Sequence, residues 1–346
     1  MLALEEKILE LLKGVKKKFS SVVVTPIERT GNNKVFIVTN GDSVYFVKQY
    51  FDSNLDNRNR FQSEVSFIKY AHLCTPSLIP EIYAVDENYK LIIFENIVGE
   101  KLTVEDINED LILKAASFFS DLNKATVKLT DGKKIMNASE ACFSIENHIN
   151  LIDQRIISLE KTDDNYNQES AFFIIINSIR RHFEEIKLQV LTYAKLNNIE
   201  VNIEIEEINR VISPSDFGFH NCLKKEDNTL VFVDFEYAGW DDPAKVAGDF
   251  FSQLQVPVPE KYFDFFVDKA LENLSNKKEI ITRARLLLPL YKIKWTCIAL
   301  NVFIPVNLER RLFSNPNIDV ASLKECQIHK AKAILNNIEN SYNVIH

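Results

Sequence analysis

The chain has no surplus of positive charge, no paired cysteines and no unbroken apolar run, and each absence excludes something. Lys and Arg number 41 against 49 Asp and Glu, a net charge of −8 with a pI near 5.5. That balance argues against a surface built for nucleic acid. The one dense basic run, Lys16-Lys17-Lys18, closes an N-terminal helical pattern, where the macrodipole favours cations. The five cysteines, Cys74, Cys142, Cys222, Cys297 and Cys326, are odd in number and form no CxxC pair. They fit reduced thiols in the cytoplasm rather than a disulfide framework. The most apolar stretch, 286–305, is interrupted by Pro289, Lys292, Lys294 and Asn301, so a buried helix is expected there and not a membrane span. The opening segment is amphipathic and acidic early, at Glu5 and Glu6, unlike a signal peptide. No internal repeat or low-complexity segment occurs. A cytoplasmic protein with no membrane or nucleic-acid partner is expected, and nothing in the pattern marks an oligomeric state.

What is present is ordinary globular composition, 346 residues with 46% apolar and 26% charged side chains. That is enough for two to three domains, or for two lobes sharing an interface. Apolar positions recur at helical spacing through Leu4, Ile8, Leu11, Leu12 and Val15. The pattern then changes to short β-type runs, 22–24, 34–38 and 44–48, punctuated by Gly31-Asn32-Asn33 and Asn40-Gly41-Asp42, which reads as an antiparallel meander. A helix is expected over 57–73, with Phe61, Val65, Ile68 and His72 on one face, followed by a hairpin from 82–85 and 91–94. Asn96-Ile97-Val98-Gly99 marks the exit from this small lobe. Helices are then expected near 103–125, 139–160, 165–196 and 203–211, with a loop at 161–168, a hairpin over 221–224 and 230–234, and helix again from 243. The reading is an α+β fold of two lobes: an antiparallel β-rich N-lobe over 1–97 and a larger, mainly helical C-lobe over 98–346.

The chemistry concentrates in Ser213-Pro214-Ser215-Asp216-Phe217-Gly218-Phe219-His220-Asn221 and Val231-Phe232-Val233-Asp234-Phe235-Glu236. An Asp, then an Asn, then an apolar strand closed by a second Asp is the layout that phosphoryl transfer from a nucleotide requires. One carboxylate orients the acceptor hydroxyl, while an amide oxygen and another carboxylate hold Mg²⁺. Taken singly, each residue has a plainer reading. Asp216 could satisfy its own loop backbone, Asn221 could be turn chemistry, and Asp234 could cap a helix. Jointly they point to a metal–nucleotide site. Such a site needs a lysine from the third strand and a glutamate from the next helix, and Lys48 and Glu64 occupy those places. Their plainer readings are an edge-protecting lysine and a solvated helix position. Thr30-Gly31-Asn32-Asn33 could cover phosphates with backbone N–H groups, or be a plain hairpin turn.

With these residues in this order, the chain resembles the aminoglycoside phosphotransferase / choline kinase family, a branch of the protein-kinase-like fold. The resemblance spans about 20–305 and is closest over 213–249, where Asp-Phe-Glu-Tyr-Ala-Gly-Trp-Asp-Asp-Pro-Ala-Lys (234–245) is highly characteristic. It implies Asp216 as catalytic base, Asn221 and Asp234 as Mg²⁺ ligands, Lys48 on the α/β-phosphates and Glu64 as its partner. It also implies Gly31 and Asn32 over the phosphates and 94–97, with Glu95 and Ile97, as the hinge that meets adenine. Two departures stand out. Pro214 occupies the place where the family usually has His, leaving His220 in the motif but after Asp216; and Asp249 is the nearest match to a further acid the family often carries. The implied activity is Mg²⁺-dependent transfer of the γ-phosphoryl group of ATP, or GTP, to a hydroxyl of a small molecule such as a sugar, an amino alcohol or an aminoglycoside. Glu236, Tyr237, Trp240, Asp241 and Tyr262 are expected around the acceptor, with Phe266 and Trp295 divided between that wall and the core. The alternative is a nucleotide-binding pseudokinase or regulatory scaffold, to which Pro214 and the single glycine of the 30–33 turn lend support. A protein kinase ranks lower, because the chain runs from Asp234 to Asp241-Asp242-Pro243 without an activation segment.

Overall fold

Alternation along one strand decides where the small sheet sends its side chains. The computed structural model describes residues 2–15, 21–27, 33–51, 59–162 and 170–341. In it β1 (Val23–Ile27), β2 (Lys34–Asn40) and β3 (Ser43–Gln49) form the meander; α2 (Arg60–Cys74), β4 (Ile82–Asp86) and β5 (Leu91–Glu95) come next. The five strands lie in the order β1-β2-β3-β5-β4 with every neighbouring pair antiparallel. Tyr45 and Val47 on β3, with Leu91 and Ile93 on β5, share a layer with Ile8 and Leu12 of α1 (Leu2–Val15). The intervening residues point the other way. Phe46, Ile92 and Phe94 join the core that contains Phe61, Val65 and Ile68 of α2. Lys48 sits opposite Ile92 in the ladder, so it emerges on that same face. It belongs to a central strand and is 5% exposed, not an edge lysine. The 30–32 part of the turn, including Gly31 and Asn32, lies outside the described residues, as do Lys16–Lys18 and 163–169.

Beyond the sheet come β6 (Glu100–Lys101), α3 (Glu109–Leu122), α4 (Ala125–Lys128), α5 (Ile145–Glu160) and α6 (Ala171–Leu196). The segment with the motif residues holds β7 (Val211–Ser213), β8 (Cys222–Lys224), β9 (Leu230–Phe232) and β10 (Gly239–Asp241). After it come α7 (Pro243–Ser252), α8 (Phe263–Ala270), α9 (Lys277–Ala299), α10 (Pro305–Ser314) and α11 (Val320–Ser341). Helix α9 is central and touches α5, α6, α7 and α11. The stretch 277–303 is long and apolar enough to cross a membrane, but 78% of its most apolar window is buried. Its apolarity therefore serves the protein core. The helix expected over 203–211 is absent. A 3₁₀ turn, Glu207–Asn209, and strand β7 replace it. The Ile205 N–H bonds the Phe143 carbonyl at 2.8 Å, and Val211 and Ile212 pair with Asp241 and Trp240 of β10. Long-range pairing of β-branched residues has overridden a weak local helical pattern.

Candidate functional site

The loop after β7 is held from below by aromatic packing. Phe217 and Phe219 are buried, with ring centroids 5.2 and 5.5 Å from that of Phe250. Phe250 in turn stacks on Phe266 at 4.2 Å, which assigns Phe266 to the core. Such pairs contribute about 0.5–1.5 kcal/mol each beyond their area. Ser215 adopts a left-handed backbone, φ 66°, a conformation that costs on the order of 1–3 kcal/mol for a residue with a side chain. Its N–H donates to the Ser213 Oγ at 2.9 Å, and its hydroxyl lies 3.4 Å from the buried Lys245 ammonium. These contacts lift Asp216 to the surface, its side chain 32% exposed.

A 3₁₀ turn, Phe219–Asn221, brings two side chains back to Asp216. Asn221 Nδ2 donates to the Asp216 carbonyl at 3.0 Å and to Oδ2 at 3.3 Å; His220 Nε2 lies 3.1 Å from Oδ1. Burial pushes the Asp216 carboxyl up, but His220, the Asn221 amide and the Lys294 ammonium outweigh it and hold it below its ordinary value. Asp216 is thus suited to orient a hydroxyl and accept its proton late, not to strip it early.

Asn221 and Asp234 occupy the same end of the β8–β9 hairpin, tied by the Val233 N–H to the Asn221 carbonyl at 2.9 Å. Asp234 has φ 69° and its side chain is 45% exposed. Lys48 Nζ reaches it at 2.5 Å, Glu64 at 2.7 Å and Glu236 at 3.7 Å. Tyr50 donates its hydroxyl to the same Glu64 oxygen, and the Phe235 N–H reaches the other at 3.2 Å. Asn33, at the entry to β2, donates to Glu236 at 2.5 Å and accepts from the Phe51 N–H at 3.1 Å. One ammonium therefore stands among three carboxylates. Burial disfavours its charge, but Asp234, Glu64 and Glu236 together hold it well above the usual ammonium range. Burial pushes the Glu64 and Asp234 carboxyls up despite Lys48.

This excess of negative charge fits a divalent cation. With its Nδ2 donating to Asp216, Asn221 has its amide oxygen to offer, and the Asp234 carboxylate is open to solvent. Among the described residues no group of three or more His, Cys, Asp or Glu side chains is disposed to hold a metal. A nucleotide-borne Mg²⁺ does not need one, since it binds through one or two protein oxygens with phosphates and water completing its shell.

The residues expected around an acceptor disperse. Asp241 is 0% exposed, paired with Lys245 at 2.5 Å and accepting from the Cys142 N–H at 3.2 Å. Its carboxylate is engaged within the fold. Glu236 faces Lys48. Tyr237 lies under the Arg60 guanidinium at 5.4 Å, again toward α2. The Trp240 indole donates to the Gly132 carbonyl at 3.0 Å. Tyr262 is half-buried at the start of α8. Trp295 does border the loop: its ring lies 6.3 Å from that of His220 and its Nε1 donates to Asp249 at 2.8 Å. Asp249 also accepts from Lys294 at 2.7 and 2.9 Å. Glu95 ends β5 and accepts from the Glu81 N–H at 3.3 Å; Ile97 lies in the irregular link to β6. Tyr50 and Lys294 are neighbours of these residues that spacing did not reveal, whereas Asn33 lies in the expected 30–33 turn and Lys245 closes the characteristic 234–245 run.

No protein-family model matches the chain, and no curated protein does. Solved structures do. The choline kinase from Cryptosporidium parvum Iowa II superposes with a TM-score of 0.58 at 14% identity, covering 97% of this chain and 99% of that one. Spectinomycin phosphotransferase, in complex with ADP and spectinomycin, gives 0.55 at 11%, covering 95% and 98%. The choline kinase LicA from Streptococcus pneumoniae gives 0.53 at 14%, covering 97% and 99%. At such identities the likeness is one of fold: the chain has the bilobal kinase-like fold, antiparallel β-rich N-lobe and helical C-lobe.

Proposed function

We propose that this chain is a cytoplasmic small-molecule kinase, transferring the γ-phosphoryl group of ATP or GTP to an alcohol. The observation that carries the reading is the convergence of Lys48, Asp216, Asn221 and Asp234 on one face. Residues 1–97 would form the nucleotide lobe and 98–346 the acceptor lobe. Lys48, fixed by Glu64, neutralises phosphate charge, and the backbone of 94–97 meets the base. Asn221 and Asp234 would hold Mg²⁺, which supplies charge neutralisation on the transferring phosphoryl oxygens. Asp216 orients the acceptor hydroxyl and takes its proton, so that positioning and electrostatics do most of the work.

The acceptor enters between the catalytic loop and the C-lobe helices. Kinases named for choline and ethanolamine and a spectinomycin phosphotransferase share the fold, which supports a small polar alcohol as acceptor. The test is acceptor-stimulated ADP release across monosaccharides, amino sugars and amino alcohols. Asp216→Asn should lower turnover by about 10²–10⁴-fold while leaving nucleotide affinity unchanged. Nucleotide binding without transfer to any acceptor would favour a scaffold instead.

A further inference from the structure

We infer that His220 is a positioning residue for Asp216, selecting which carboxylate oxygen is presented to the acceptor hydroxyl. The inference rests on the kinase reading above and on four features of the loop. First, the two Asp216 oxygens are not equivalent. Oδ1 is engaged by His220 Nε2 at 3.1 Å, whereas Oδ2 has only the longer 3.3 Å contact with Asn221. Second, the ring backs the carboxylate from the protein side. The His220 side chain is 5% exposed and that of Asp216 is 32% exposed, so the oxygen away from the imidazole is the one left for a substrate.

Third, the imidazole has no other hydrogen bond to make among the described residues. Its Nδ1 is buried and without a partner there, so flipping the ring would forfeit the bond to Asp216 and gain none. Fourth, the ring is wedged in place. Trp295 meets it edge-on at 6.3 Å, and a Cβ at Gly218 would stand 2.8 Å from Nδ1 and 3.0 Å from Cε1. Gly218 is extended, with φ 170°, so the glycine serves the imidazole and not the backbone. Pro214, on the other side of Asp216, offers no side-chain donor. The side-chain bonds on this carboxylate thus come from the turn on its C-terminal side.

Three full-length variants test this with MgATP and the best acceptor of the panel. His220→Phe keeps an aromatic ring against Trp295 but removes the donor, and should lower kcat by about 10- to 100-fold, as a small misplacement of a reacting group does. KM for the nucleotide should stay within about twofold, because the ring bonds the base Asp216 and neither Lys48 nor Asp234. His220→Gln, which keeps an N–H at similar reach, should restore kcat to within about fivefold of wild type. Gly218→Ala should reproduce the kcat loss with His220 intact. A kcat for His220→Phe within twofold of wild type, or a loss that Gln does not rescue, overturns the inference. Nitrogen-15 NMR separates this from failure of the kinase reading. A hydrogen-bonded Nε2–H signal should be present in the wild type and lost in Asp216→Ala, whether or not any acceptor is found; its absence from the wild type also overturns the inference.

Discussion

Lys48 and Asp234 are 186 positions apart in the chain and 2.5 Å apart in space. That contact joins the small sheet to the hairpin of the helical lobe, and Lys48 also faces the buried Glu64 and Glu236. Removing the ammonium strips these acids of their nearest cation. Lys48→Met should therefore lower unfolding free energy by about 3–5 kcal/mol, the range for breaking a buried ion pair from one side, and abolish nucleotide binding. Lys48→Met/Glu64→Gln should regain part of the stability but none of the turnover. Urea denaturation together with ADP release checks both, and a single variant within about 1 kcal/mol of wild type would count against the buried network.

Asp234 separates metal function from folding. Its carboxyl is pushed up by burial and by neighbouring acids, so a neutral isostere removes repulsion. Asp234→Asn should melt at or above the wild-type temperature while losing more than about 100-fold in turnover, as expected when several kcal/mol of divalent-ion stabilisation goes. Nucleotide affinity should weaken on adding EDTA to the wild type and stay unaffected in the variant. A variant that keeps its Mg²⁺ dependence would move the ligand elsewhere.

Elements with strong local signals could be read from the chain. The meander, helix α2 and the β8–β9 hairpin have alternating or periodic apolar positions bounded by turn residues. Contacts between distant residues could not be read. Nothing local announces that Asn33 would meet Glu236, or that Val211 would pair with Asp241, because such partners are chosen by the assembled fold. Asp241 illustrates the same limit. Its place in a characteristic run suggests a binding role, yet its carboxylate is buried against Lys245, four residues on in α7. His220 lies between these extremes, since its distance from Asp216 was visible but the tight turn that folds the ring back was not.

Gly248 tests how closely the motif helix must sit on α9. A Cβ there would overlap the Tyr291 ring, and the flanking helix is buried along its length. Overpacking of this kind costs about 1–3 kcal/mol, although alanine is the better helix former. Gly248→Ala should therefore destabilise, measured as a lower urea midpoint at unchanged m-value. A stabilised variant would mean that Tyr291 moves aside freely.

His148 contributes a loss of stability on mild acidification, against the opposite contribution of Asp241, whose carboxyl burial pushes up to about 6. This imidazole is wholly buried, with Nε2 3.1 Å from Asp242 and Nδ1 2.5 Å from the Tyr291 hydroxyl. The pattern assigns the neutral ring, donating through Nε2 and accepting at Nδ1. Burial holds its pKa below the ordinary 6.5; Asp242 opposes the shift, while Arg283 and Lys245 add to it. Above about pH 6.5 both states carry the neutral ring and nothing is lost. Below it the unfolded chain takes up a proton that the native state refuses, so stability declines by up to about 1.4 kcal/mol per pH unit until the folded group titrates in turn. Melting curves from about pH 7 to about pH 5.5 should show stability changing less favourably on acidification in the wild type than in His148→Gln, whose side chain does not titrate. Equal slopes would mean that the native ring accepts its proton as readily as the unfolded one, and that Asp242 outweighs burial.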